Sequence, residues 1–224
     1  MPQIEYITDE NKVFNSLNRN HEERNMPTIL QLNNSLFSDD GKSSSLANSF
    51  VEQLRIRQPD TRVIRRDLTR NPVPHLTAEC FTAAITPPEK RTSAQVKAAA
   101  LADTLVSELM ETDMLVIGSP TYNFSITSSL KSWFDHVARA GTTFRYTEKG
   151  PVGLLSMKVY VFISSGGFYK GMDTDFQTQY IRHFLNFLGI NDVEFTYLEG
   201  ASMGDHALGK GMQLAQERIQ LLVA

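Results

Sequence analysis

From Thr28 onward the chain alternates strand-length apolar runs with stretches of helical period, and this alternation restricts the fold more than any other feature. The runs are "TILQLNN", "TRVIRRDL", "DMLVIGSP", "KVYVFISS" and "DVEFTYLE". Helical patterns fall between and after them, near residues 43–57, 93–111, 126–139, 174–188 and 206–222. In the third pattern Leu130, Trp133, Phe134 and Val137 recur at i, i+3, i+4 and i+7, one core-facing stripe. The fourth ends at Gly189, a natural C-terminal stop, and the fifth carries Leu208, Met212, Ala215, Ile219 and Leu222. Strands separated by helices return in parallel, so the pattern predicts a parallel sheet covered by helices on both faces.

Five strands suit an α/β, flavodoxin-like sheet of order 2-1-3-4-5. A six-stranded dinucleotide fold would need another strand and a glycine fingerprint, and the sequence has neither. The Pro-rich stretch 71–92 reads as a long surface loop. Residues 1–25 mix acids, amides and scattered apolar residues without a period and read as a weakly ordered leader. Their acidic residues match a transit peptide poorly, and Met26, directly before Pro27 and the first strand, reads as an alternative start. The expected organisation is therefore a leader over 1–25 and one domain over 26–224.

With 22 basic and 25 acidic residues the net charge is −3, and no basic block favours nucleic acid or an anionic membrane. A small-molecule partner is expected. The single cysteine, Cys80, lacks a second thiol to pair with and sits in no metal-ligand spacing; it reads as a half-buried apolar residue. No apolar run approaches the roughly 20 residues of a membrane-spanning helix, so a cytoplasmic protein is expected.

In open parallel sheets the ligand sits beyond the carboxyl ends of the strands, where neighbouring connections leave on opposite faces. In the 2-1-3-4-5 order that point lies between strands one and three. The first loop ends in "GKSSS", but the residue five before Gly41 is Leu36, so a nucleotide P-loop fails at its first glycine. What remains is a helix opened by Gly41, Lys42 and Ser43, where amides, hydroxyls and an ammonium can meet a phosphate monoester. A serine cap beside a solvated lysine is the plain alternative. In "SPTYNFSIT", Pro120 ends the ladder, Tyr122 and Phe124 can flank a planar heterocycle, and Asn123 can bond its edge. After strand four, Gly166 and Gly167 allow close approach of a flat ring and can offer N–H groups to it.

Residues 119–155, "SPTYNFSITSSLKSWFDHVARAGTTFRYTEKGPVGLL", resemble the signature of the FMN-dependent NADH-azoreductases, within the flavodoxin-like NAD(P)H:quinone reductases. A looser match runs from Met26 to the C-terminus. The resemblance implies a homodimer with FMN at its interface. Ser35, Gly41, Lys42 and Ser43 would hold the ribityl phosphate; Thr121, Tyr122, Asn123 and Phe124 would line the isoalloxazine; Ser164, Ser165, Gly166 and Gly167 would meet its pyrimidine side. Phe144, Tyr146 and Phe168 would wall the substrate space. Where the family's phosphate loop commonly reads S-x-S, this chain has Gly41-Lys42-Ser43, with one hydroxyl replaced and a cation added.

The implied activity is two-electron, ping-pong reduction of quinones and cleavage of azo compounds to amines, with NADH or NADPH as donor. The flavin would carry the chemistry, and neither His136 nor His183 is needed as a catalytic acid; both read as structural. A flavodoxin-like electron carrier or flavin-binding regulatory protein is the alternative.

Overall fold

The computed structural model describes residues 26–224; the expected leader lies outside the described residues. Seven strands and six α-helices follow in the order β1 (Thr28–Asn33), α1 (Lys42–Arg57), β2 (Arg62–Asp67), α2 (Ala78–Ile85), α3 (Ser93–Met110), β3 (Met114–Pro120), α4 (Ser128–Val137), β4 (Phe144–Thr147), β5 (Gly150–Gly153), β6 (Lys158–Ser164), α5 (Phe176–Phe187), β7 (Val193–Leu198) and α6 (Asp205–Leu222). The main sheet runs β2-β1-β3-β6-β7 and is parallel throughout. With the β4-β5 hairpin set aside, this is the expected 2-1-3-4-5 order.

Alternate residues of each central strand feed opposite faces, as the period of two requires. Leu30, Leu32, Leu115, Ile117, Val159 and Val161 join one buried cluster with the α4 stripe Leu130, Trp133, Phe134 and Val137. Ile29, Val116 and Phe162 join a second with Phe50 of α1 and Ile219 of α6. Helix α1 therefore leaves β1 on one face and α4 leaves β3 on the other, and the two strands are neighbours. This geometry opens the crevice.

Local signals account for the helix ends. Thr77, Thr92, Thr127 and Asp175 each accept a backbone N–H at the start of a helix, and Thr92 with Gln95 completes a capping box. Gly189 (φ 96°) follows α5, with Gly189 N–H donating to Asn186 and Ile190 N–H to Leu185, the paired bonds of a Schellman stop.

Two elements depart from expectation. The stretch 71–92 is not one loop: it contains α2, whose cap and short apolar run are embedded among prolines, and only Ala83 of the helix is buried. The hairpin Phe144–Thr147/Gly150–Gly153 packs Gly153 so closely on the α5 stop that an added Cβ would lie 1.9 Å from Gly189 N. His136, which falls at a polar position in the sequence pattern, is buried, its Nδ1 2.9 Å from the Ser132 carbonyl. Among the described residues no helix is long and apolar enough to cross a membrane, and no group of three or more His, Cys, Asp or Glu is placed to hold a metal.

Candidate functional site

Helix α1 begins differently from the four capped helices. Gly41 stands at its N-cap with no side chain to donate to, and the first amide bonded back into the helix is Ser45 N–H, to the Gly41 carbonyl. The amides of Lys42, Ser43 and Ser44 have no partner among the described residues. The buried hydroxyls of Ser43 and Ser44 are also unpartnered there. Helix α6 is likewise uncapped, but Asp205 occupies its first turn, whereas α1 has no acid in its first turn and starts with exposed Lys42. The positive end of α1 is thus open to an anion.

The surroundings hold that helix start in place. An added Cβ at Gly41 would lie 2.0 Å from Ser35 Oγ, and one at Gly118 on β3 would lie 2.9 Å from the Ser43 carbonyl oxygen, so Gly41 lets the loop backbone pack on the Ser35 side chain and Gly118 lets β3 approach the backbone of α1. Ser35 is buried beneath Gly41, its Oγ accepting Phe37 N–H at 3.2 Å. Asn34 donates to the Gly118 carbonyl at 2.6 Å and accepts from Thr127 Oγ1 at 3.1 Å, tying β1 to β3 and to the cap of α4. Behind the loop, Asn48 of α1 accepts from Gln31 and Asn33 and donates to Asp39. This polar chain, buried at Gln31 and Asn33 and exposed at Asp39, joins the floor of β1 to the turn before Gly41.

After β3, Tyr122 and Ser125 exchange two backbone hydrogen bonds of 3.1 Å, with Asn123 (φ 50°) and Phe124 (φ 65°) between them. Two positive φ values in a two-residue loop make this a type I′ turn, a shape that favours Asn then Gly. Phe124 occupies the glycine position, a strained choice that leaves the residue 53% exposed with its ring edge-on to Tyr169 at 5.8 Å. Beside the turn, Thr121 N–H donates to the Ser164 carbonyl, so the loops after β3 and β6 are joined at their base.

After β6 the carbonyls of Ser165, Gly166 and Gly167 accept from Ala201, Ser202 and Gly200. Their acceptor side is occupied, and the N–H groups of Gly166 and Gly167 have no partner among the described residues. Glu199 accepts from the amides of Tyr169 and Lys170, holding the rest of the loop. Burial pushes the Tyr197 phenol up, against a hydrogen bond with Thr178 that lowers it, so a neutral ring lines the cavity beside Thr121, Phe124 and Ser165. Of the three expected wall residues, Tyr146 and Phe168 are exposed. Phe144 is buried, its ring 4.5 Å from that of Phe187, within the first core cluster.

This chain fits a family model described as a flavodoxin-like fold over residues 27–222. It is 48% identical over 180 residues to an FMN-dependent NADH:quinone oxidoreductase of Cellvibrio japonicus, a match spanning 80% of this chain and 90% of the relative. A protein of the same name from Herminiimonas arsenicoxydans is 44% identical over 202 residues, covering 88% of this chain and 99% of the relative. The chain belongs to the flavodoxin-like FMN-dependent NADH:quinone oxidoreductase family. An FMN-dependent NADH-azoreductase from Bacillus anthracis, solved in complex with FMN, superposes with a TM-score of 0.78 at 25% identity, covering 89% of this chain and all of that one.

Three residues of this family member that shape the crevice do not stand out in the sequence reading. They are Asn48, Gln177 and Glu199, all acting on loops from elsewhere in the chain. A weak signal for Asn48 is the pair Gln31 and Asn33 inside an otherwise apolar strand, since buried amides require partners. Nothing in the pattern around Gln177 marks it.

Proposed function

We propose that this protein is an FMN-dependent oxidoreductase that takes electrons from NADH and reduces quinones in two-electron steps, with azo compounds as further acceptors. One observation carries the reading: an uncapped helix start, an aromatic type I′ turn and a pair of free glycine amides meet at one end of the sheet. The residues fit FMN. The amides and hydroxyls of Lys42, Ser43 and Ser44, with the Lys42 ammonium, supply donors for the phosphate. Thr121, Tyr122, Asn123 and Phe124 would border the ring, and Gly166 and Gly167 would offer N–H groups to its carbonyl and nitrogen edge.

When bound, FMN supplies the hydride chemistry, accepting a hydride from the nicotinamide and later giving two electrons to the acceptor. The chain would hold and tune it. Donors at Gly166 and Gly167 would stabilise negative charge on a bound, reduced ring. Phe124, Tyr146 and Phe168 present exposed aromatic surface to a planar acceptor. Nicotinamide and acceptor would occupy this crevice in turn, so ping-pong kinetics are expected.

The reading extends to a homodimer with the flavin at its interface, a flavin-binding domain over 26–224 and a cytoplasmic location. The relatives' names and the exposed aromatic rim favour this enzyme over a one-electron carrier or regulator. The test is colour followed by turnover. Purified protein loaded with FMN should bleach with NADH, recover with a quinone, and give parallel double-reciprocal plots. A flavin-loaded protein that NADH leaves oxidised would return the carrier reading.

A further inference from the structure

Gln177 lies in the first turn of α5, is 2% exposed, and belongs to neither of the loops it touches. Its Nε2 donates to Ser119 Oγ at 2.8 Å and faces the carbonyl oxygens of Ser119 at 3.2 Å and Pro120 at 3.3 Å. Two of those three groups can only accept, so the amide cannot turn over without setting oxygen against oxygen. Its Oε1 must therefore face the other way, where it accepts the Thr121 hydroxyl proton at 2.5 Å. With that proton committed, the Thr121 hydroxyl offers only lone pairs to any further partner. Thr121, Phe124, Ser165 and Gln177 border the same cavity.

We infer that Gln177 is a positioning residue for the ring-binding loop: it locks the carboxyl end of β3 onto α5 and turns the Thr121 hydroxyl into an acceptor for an N–H group of the bound ring. The inference rests on the flavin reading above. It deepens that reading by assigning a hydrogen-bond polarity to one first contact, which the identity of Thr121 alone leaves undetermined. A buried amide bonded through both its nitrogen and its oxygen also holds one geometry, because each alternative rotamer would strand a polar group.

The experiment measures FMN dissociation constants by flavin fluorescence for wild type, Thr121→Val, Thr121→Ser, Gln177→Leu, the Thr121→Val/Gln177→Leu double variant and Gln177→Glu. Thr121→Val and Gln177→Leu should each weaken binding about tenfold, and the double variant should show about that same tenfold loss rather than about a hundredfold, because both remove one coupled contact. Thr121→Ser, which keeps the hydroxyl, should bind more tightly than Thr121→Val. Gln177→Glu should bind poorly while its carboxylate is ionised and faces Ser119 and Pro120, and should recover relative to wild type as falling pH protonates it and restores a donor.

Additive losses, or a Gln177→Glu profile parallel to wild type over about pH 5 to 8, would overturn the inference. If Gln177→Leu does not fold, the Gln177→Glu profile decides alone. A wild-type protein that takes up no FMN would instead sink the flavin reading itself, so the two failures are distinguishable.

Discussion

Adding one methyl group at Gly41 tests the phosphate loop more severely than removing any of its donors. The new Cβ would lie 2.3 Å from Ser35 Cβ, about 1.2 Å inside ordinary carbon contact, and 2.0 Å from Ser35 Oγ. Rotating Ser35 relieves only the second clash, because Cβ is fixed to the backbone. The loop must therefore lift by about 1 Å, breaking the Ser35 Oγ bond to Phe37 N–H and swinging the Lys42–Ser44 amides. Overpacking of this kind costs about 2 kcal/mol, which lowers the unfolding midpoint by about 4–8 °C in a chain of this size. Losing one bond to a charged phosphate costs about 1.5–3 kcal/mol, or about ten- to a hundredfold in FMN affinity.

Calorimetry and flavin titration on Gly41→Ala measure the two quantities separately. Gly153→Ala is the control: its Cβ would lie 1.9 Å from Gly189 N, so it should destabilise the hairpin docking while leaving the FMN affinity of the folded protein unchanged. A Gly41→Ala protein that melts and binds FMN like wild type would refute the tight-loop account. Equal loss of affinity in both variants would show that affinity simply follows stability.

Two further perturbations have signs set by the structure. Phe124→Gly removes a left-handed residue whose strain is about 1–2 kcal/mol and adds glycine entropy of about 0.5–1 kcal/mol, so the unfolding midpoint should hold or rise while quinone turnover falls; a lower midpoint with unchanged turnover contradicts this. Burial raises the Asp103 pKa, but hydrogen bonds from Arg91 and Arg139 outweigh it and hold the carboxyl below its usual range. Its folded pKa is depressed, so its stabilisation is present above the unfolded pKa of about 3.9 and is lost as pH falls through the folded value. Asp103→Asn should therefore be less stable than wild type at neutral pH, with the gap closing in acid by urea unfolding; a gap independent of pH would place the effect elsewhere.

The parallel sheet, its order and the cores of α4 and α6 were legible because apolar spacing reports burial directly. The stripe Leu130, Trp133, Phe134 and Val137 is buried in full. Helix α2 was not legible, since its single buried residue, Ala83, makes no stripe. The hairpin was not legible either: its strands are four residues each, and its place depends on Gly153 meeting Gly189 across 36 residues of chain. Three loops were legible as neighbours because topology alone brings the ends of β1, β3 and β6 together.

By itself the sequence determined the fold class, the location of the crevice and the chemical types at its rim, all consequences of local period and of residue identity. Only the tertiary structure decided which polar groups remain available there. The amides at Lys42–Ser44 are free because they open a helix with no turn before it and no capping side chain, and those of Gly166 and Gly167 are free because their loop pairs through its carbonyls. The polarity of Thr121 likewise depends on Gln177, 56 residues away along the chain and in contact only after α5 packs on β3.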